Sequence, residues 1–491
     1  MTSTAVPLLV SPPDAPAAAA DTAGLPARSL VLFNHDFDRI AFDRVAGRWP
    51  HLSAGFDLFS FPSNLRLAWF DMQRFAERAA RRAQRLGVRA VLSNQEQFGA
   101  LCAALVAERL GLPGTPVQAV LACQHKLHAR VVLQRVCPEA NIPFARLQAR
   151  YGDDVPQGLR YPLFVKPVKA AFSVLARTAH SREQLQAHTR FGAWELWVIR
   201  HLVEPFERIV RERLPQAGSA HSLMVETPVQ APQYNLDGYV YNGELRSLGV
   251  VDAVMYPGTQ AFMRFEYPSR LQAEVQQRAA DVARRFLQAV GFTHGLFNME
   301  FFHDPATGKI SVIEFNPRMA SQFSDLYERV DGIELHAIAM ALAHGHDPAT
   351  LPRKAPTAQV AASFVYRQFG APRTVASPSA MRLRALRECF ADALLMPFPK
   401  SRGSIERDLK WLGSYRYGIL HLGGDSPADL RRRCEVASSL LGWPAPYAEH
   451  HADHHVDHHA DHHAERHAAH PAGHRAQQLA SAHTPLSIHS P

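Results

Sequence analysis

"KISVIEFNPRMASQF", residues 309–323, decides how the rest of the chain is read. Side chains alternate across a strand, so Glu314, Asn316 and Arg318 fall on one face while Ile313, Phe315 and Pro317 take the other. An apolar strand thus presents an acid, an amide and a cation in a row. Upstream, "GLFNMEFF" (295–302) offers a second carboxylate, Glu300, and the intervening "HDPATGK" (303–309) reads as a turn. A hairpin symmetric about residue 307 makes Glu300 and Glu314 cross-strand neighbours. Their Cβ atoms would then sit ~5 Å apart, a destabilising placement for like charges unless a cation lies between them. Magnesium fits, because it takes carboxylate and amide oxygens together with substrate phosphates. Glu300, Glu314 and Asn316 supply such oxygens, and the Arg318 fork suits a phosphate or carboxylate beyond the ion. Judged on these two strands alone, a solvent-exposed hairpin with ordinary surface acids is the competing reading.

Further groups lie upstream. Lys166 ends the apolar run "YPLFV", and the loop behind it, Ala170-Ala171-Phe172-Ser173, is small enough for backbone N–H groups to approach an anion closely. Lys126 stands earlier, in a helical stretch over 119–150 that also carries Arg130. "LMVETPV" (223–229) is a buried strand ending in Glu226 just before a proline. A carboxylate and free backbone groups at such an end suit an adenine edge and ribose hydroxyls. The chain has only seven lysines among 53 basic residues, so each is a small clue that an ammonium was wanted there.

Length and composition set the frame. A chain of 491 residues, 47% hydrophobic, has room for about three domains. Its net charge of +8 is modest and its basic residues are dispersed, which argues against nucleic-acid binding. The five cysteines (Cys102, Cys123, Cys137, Cys389, Cys434) form no CxxC pair, as expected of a reducing, cytoplasmic setting. No apolar run is long enough for a membrane span. The organisation expected is a disordered leader over 1–28, an α/β layer domain over 29–118, a nucleotide-binding region over 119–346, a smaller α+β domain over 347–445 and a His-rich tail over 446–491. No GxGxxG follows the first strand, so a nicotinamide or flavin site is not indicated.

Taken in order, Lys126, Lys166-Pro167, Glu226, Glu300 and Glu314-Phe315-Asn316-Pro317-Arg318 resemble the motif series of the ATP-grasp superfamily, over roughly residues 29–445. The resemblance is to its carboxylate–amine ligases, with an architecture like that of biotin carboxylase. It implies an α/β (α+β) ATP-grasp fold: an N-terminal α/β pre-ATP-grasp domain, a two-lobed ATP-binding region and a small C-terminal α+β domain. Lys126 and Lys166 would then neutralise ATP phosphates under the 170–174 loop. Glu226 and the backbone to Val229 would hold adenosine, and Glu300, Glu314 and Asn316 would hold Mg2+, with Mn2+ as the alternative ion. Arg318 would stabilise the transferring phosphoryl group, with Arg264 a second phosphate or carboxylate contact. The implied chemistry joins a small-molecule carboxylate to an amine through an acyl phosphate, releasing ADP. The implied substrate is an amino acid or small metabolite, and a homodimer is compatible. Two departures stand out: "KAAFS" lacks the family's loop glycines, and Gln322 occupies the place where a biotin carboxylase would carry a glutamate base for bicarbonate.

The tail repeats paired histidines with an acid: His450, His451, His454, His455, His458, His459, His462 and His463. In a helix, such i,i+4 pairs suit Ni2+ or Zn2+. The alternative to a ligase is therefore a nucleotide-binding relic that buffers metal through its tail. An adenylate-forming ligase is a third reading, and it predicts AMP as product.

Overall fold

The computed structural model describes residues 28–34, 36–57, 63–170 and 175–447. Most of the leader, the whole run of tail histidines and Ala171, Phe172 and Ser173 lie outside the described residues.

The first layer is built from β1 (Arg28–Leu32), α1 (Asp36–Val45), β2 (His51–Ala54), α2 (Met72–Arg85), β3 (Val88–Leu92) and α3 (Gly99–Leu110). Its three strands run parallel in the order β2-β1-β3, which requires the helical crossovers between them. A 3-10 turn, Ser63–Trp69, precedes α2. Asp71 starts that helix by accepting a hydrogen bond from the Arg74 N–H as the helix cap.

The second group comprises α4 (Val117–Gln124), α5 (Lys126–Val136), β4 (Phe144–Leu147), β5 (Leu163–Pro167), β6 (Arg177–Ala179), α6 (Arg182–Thr189), α7 (Ala193–Arg213) and β7 (Leu223–Glu226). The helix expected over 119–150 is broken at His125, whose backbone leaves the helical region and whose side chain caps the His128 N–H. That break puts Lys126 at the start of α5, with its N–H bonded to the Val168 carbonyl beside β5. The four strands form an antiparallel lobe, β4-β7-β5-β6.

The remaining elements are β8 (Gln233–Tyr241), β9 (Glu244–Met255), β10 (Phe262–Tyr267), α8 (Ala273–Ala289), β11 (Gly295–His303), β12 (Ile310–Asn316), α9 (Ser324–Asp331), α10 (Leu335–Ala343), β13 (Val360–Phe369), α11 (Ala380–Cys389), β14 (Leu394–Pro397), α12 (Arg402–Leu412), β15 (Ser414–Gly424) and α13 (Pro427–Leu441). They share one antiparallel sheet of eight strands, β12-β11-β8-β9-β10-β13-β15-β14. Asn242 and Gly243, both at positive φ, make the tight β8–β9 turn. Among the described residues, the segment after 346 builds no sheet of its own. It extends the large sheet, because β13 pairs with what would otherwise be an open edge at β10.

Alternation gives this sheet two unlike faces. Leu236, Phe297, Met299, Val312 and Phe315 pack against α5 and α8, with Phe315 stacked 3.9 Å from Phe286. Tyr239, Phe265 and Tyr267 pack on the opposite face with α9 and α10. Asp237, Asn298, Glu300, Glu314 and Asn316 share that second face by register. Among the described residues, no helix is long and apolar enough to cross a membrane.

Candidate active site

The β11–β12 register pairs Asn298 with Asn316, Met299 with Phe315 and Glu300 with Glu314. Nearer the turn it shifts by one, and Phe301 faces Val312. Ile313 is the extra residue of a bulge. The offset matters: the turn-proximal register, continued without the bulge, would place Ile313 opposite Glu300. Glu314 would then turn to the other face. The acid pair therefore depends on the bulge.

Arg130 holds the bulge in place. Its guanidinium donates to the carbonyls of Val312 (2.6 Å) and Ile313 (3.0 Å), and its Nε donates to Glu226 Oε1 (2.6 Å). The Glu226 carboxylate also takes Lys166 Nζ at 2.8 Å and is only 3% exposed. Glu226 was expected to meet adenosine through its carboxylate; instead that group points inward onto two cations. Any nucleoside contact by this segment falls to the backbone from Glu226 to Val229.

Lys126 Nζ lies 2.5 Å from Glu314 Oε2. Glu300 accepts from Gln233 Nε2 at 2.9 Å and from Asn316 Nδ2 at 3.3 Å. Asn316 Nδ2 also donates to Asn298 Oδ1 at 3.1 Å, which leaves Asn316 Oδ1 as the atom free to meet a cation. Two carboxylates and one amide oxygen are a partial shell of the kind magnesium completes with water and substrate phosphates. The residues present fit that ion.

Arg318, just past β12, donates from Nη2 to Glu96 Oε2 at 2.6 Å. Glu96 follows β3 in the first layer and escaped the sequence reading, since nothing in "SNQEQFG" marks it. Lys169 was visible only as one of the scarce lysines. It is buried, donates to Gln124 Oε1 at 3.0 Å and sits 4.7 Å above the Phe206 ring. Burial lowers Lys169 to about 7 and Lys166 to about 8. Asp237, bonded by Tyr327 and Asn298, is pushed up by burial to about 7. His294 packs, with Nε2 2.7 Å from the Leu342 carbonyl.

Arg264 is not brought to this cluster. It stands on β10, four strands from β12, on the face opposite to its neighbours Phe265 and Met263. Its Nε meets Glu266 at 2.6 Å, and its guanidinium covers Tyr447 at 4.6 Å. Ala170 lies beside the site, its carbonyl accepting from Lys126 Nζ at 3.2 Å.

The acid pair titrates as a unit. Burial and the adjacent Glu314 charge push Glu300 up to about 8. For Glu314 burial also works upward, but Lys126 outweighs it and holds that carboxyl well below its usual range. The native pair thus keeps a proton that Glu300 loses on unfolding at any pH between its ordinary value and about 8. Stability from this group is present at low pH and lost as the pH rises through that window. Metal-free wild type should accordingly lose melting temperature relative to Glu300→Gln as the pH is raised from about 5 to about 8. Parallel melting curves for the two proteins would refute this assignment.

Residues 159–325 match the ATP-grasp domain family. Carnosine synthase 1 of Gallus gallus is 28% identical over 272 residues, 52% of this chain but only 27% of that relative's length. Among solved structures, the L-amino acid ligase from Bacillus licheniformis aligns over 84% of this chain and 96% of its own, with a TM-score of 0.60 and 15% identity. The N5-carboxyaminoimidazole ribonucleotide synthetase from Thermus thermophilus aligns over 84% and 98%, with a TM-score of 0.55 and 16% identity. At those identities the likeness speaks for the fold.

Proposed function

The chain carries an ATP-grasp domain over residues 159–325, and on that premise we propose that it is an ATP-dependent carboxylate–amine ligase working through an acyl phosphate. The observation that carries the proposal is the Glu300–Glu314 pair, opposed by a bulge and surrounded by Lys126, Lys166 and Arg318. A buried acid pair with one proton between its members is costly without a cation to take. The names of two similar proteins, carnosine synthase and L-amino acid ligase, agree with an amino acid or small metabolite as substrate.

The residues divide the task. Glu300, Glu314 and Asn316 would hold Mg2+, which when bound would supply charge neutralisation at the ATP phosphates. Lys126 and Lys166 exchange their present carboxylate partners for phosphate oxygens. The Arg318 fork meets the charge on the transferring group. An oxygen of the substrate carboxylate forms a bond to the γ-phosphorus as the bond to ADP breaks. The amine then attacks the acyl carbon, phosphate departs with that oxygen, and the amine gives up a proton. Such a transfer needs positioning and charge compensation more than a protein nucleophile.

ADP and phosphate release, screened over amino acids and small carboxylates paired with amines, tests the proposal. Turnover that requires both an acid and an amine is the expected result. Should no pair turn over while wild type binds ATP and Glu314→Ala does not, the protein is a nucleotide-binding one instead. The tail favours an additional role, since eleven of the 27 histidines fall within 450–474. On our reading it takes Ni2+ or Zn2+, and its deletion removes that binding while leaving ligation intact.

A further inference from the structure

A second gathering of charge lies at the far end of the large sheet. The register sets Arg367 on β13 directly opposite Arg416 on β15, beside a bulge. Both point to the face that carries Glu300 and Glu314, because Val365 and Ile419 join the core on that side. Tyr366, Tyr415 and Tyr417, their neighbours in sequence, join the core on the other. Like charges directly opposite one another weaken strand pairing. The usual remedy is an intervening acid, and here there is little of it. Among the described residues, Asp408 on α12 is the one acid whose charge acts on both arginines, and it is already bonded by Lys400. Arg367, Arg416 and Lys400 against Asp408 leave an excess of two positive charges.

The geometry is that of a prepared fork. Arg367 is fixed by the Phe262 carbonyl (3.2 Å) and Ser414 Oγ (3.1 Å). Arg416 has its guanidinium carbon 4.2 Å from the centre of the Phe398 ring and, among the described residues, makes no hydrogen bond or ion pair. Burial, with Arg367 adding to it, lowers Arg416 to about 10. An arginine so placed gains from an oxyanion that takes two parallel N–H bonds.

We propose that Arg367, Arg416 and Lys400 form an oxyanion-binding site for a carboxylate or phosphate group. It is distinct from the magnesium acids: β12 and β13 stand five strand steps apart, roughly 24 Å across the sheet. It also borders the small lobe, since α12 touches that lobe through Lys410 and Glu195 (2.5 Å) and through Arg177 (2.9 Å). The anion is either a second group on a substrate reaching along this face or a free anion that binds independently.

Calorimetric titration of the full chain with inorganic phosphate decides the matter, run with magnesium and a non-hydrolysable ATP analogue saturating the lysines of the nucleotide site. One further saturable binding event is expected, accompanied by a rise in melting temperature. Arg416→Gln and, independently, Lys400→Met should each weaken it about tenfold or more. Unchanged phosphate binding in both variants, or no binding by wild type, overturns the site. With turnover in hand, phosphate competing with one substrate and a raised KM for it in Arg416→Gln assign the site to that substrate. An unmoved KM with phosphate binding lost assigns it to a free anion. Because binding is the readout, the site can fail while the ligase proposal stands, and the reverse.

Discussion

Glu314→Gln removes ATP-dependent phosphate release, by roughly 10³-fold or more, and leaves the fold intact. The substitution keeps the size of the side chain and one acceptor oxygen, but it withdraws the charge that faces both the cation position and Lys126, 2.5 Å away. Lys126, left without its partner, would then bind phosphate without the counter-charge that sets its place. Stability should hold, because Lys126 keeps the Ala170 carbonyl as an acceptor and Glu300, the direct neighbour of Glu314 across the ladder, can give up its proton once no charge faces it. Steady-state rates beside thermal melts check both halves. A variant that retains more than about a tenth of wild-type activity would remove Glu314 from the magnesium set.

Arg130→Met has its largest effect on stability. It strips a cation from Glu226, which is 3% exposed, and it deprives the Val312 and Ile313 carbonyls of their donor. Breaking a buried ion pair by removing one partner costs about 3–5 kcal/mol, and Lys166 at 2.8 Å offsets part of that. The bulge loses its anchor as well, so Glu314 no longer has a fixed place opposite Glu300. Denaturant unfolding should show a loss of several kcal/mol, and metal binding should weaken even in the folded fraction. A loss below about 1 kcal/mol would mean that the bulge holds without Arg130.

Much of this was legible in the chain. Alternation placed Glu314 and Asn316 on one face, and the order of lysines and acids pointed to the ATP-grasp fold. The pairing of Glu300 with Glu314 was anticipated from a turn centred on residue 307, yet the turn-side register is one short of that, and Ile313 makes up the difference. No local signal marks such a bulge, because its anchor lies 182 residues away in sequence. Glu96 is further still from Arg318, 222 residues. Contacts of that separation are set by how the layers dock. Arg264 shows the complementary limit: whether it faced the acids depended on the packing of Phe265 and Tyr267 with α9 and α10. Likewise a boundary was expected near residue 346, whereas the pairing of β13 with β10 across it was not.

The most direct test of acyl-phosphate ligation follows oxygen. With an acid and amine pair that supports turnover, the substrate carboxylate is labelled with heavy oxygen and the released phosphate is analysed by mass. Attack of the carboxylate on the γ-phosphorus predicts ADP as the nucleotide product and one labelled oxygen in each phosphate formed by ligation. AMP with pyrophosphate, or phosphate free of label beside a formed amide, would contradict the account.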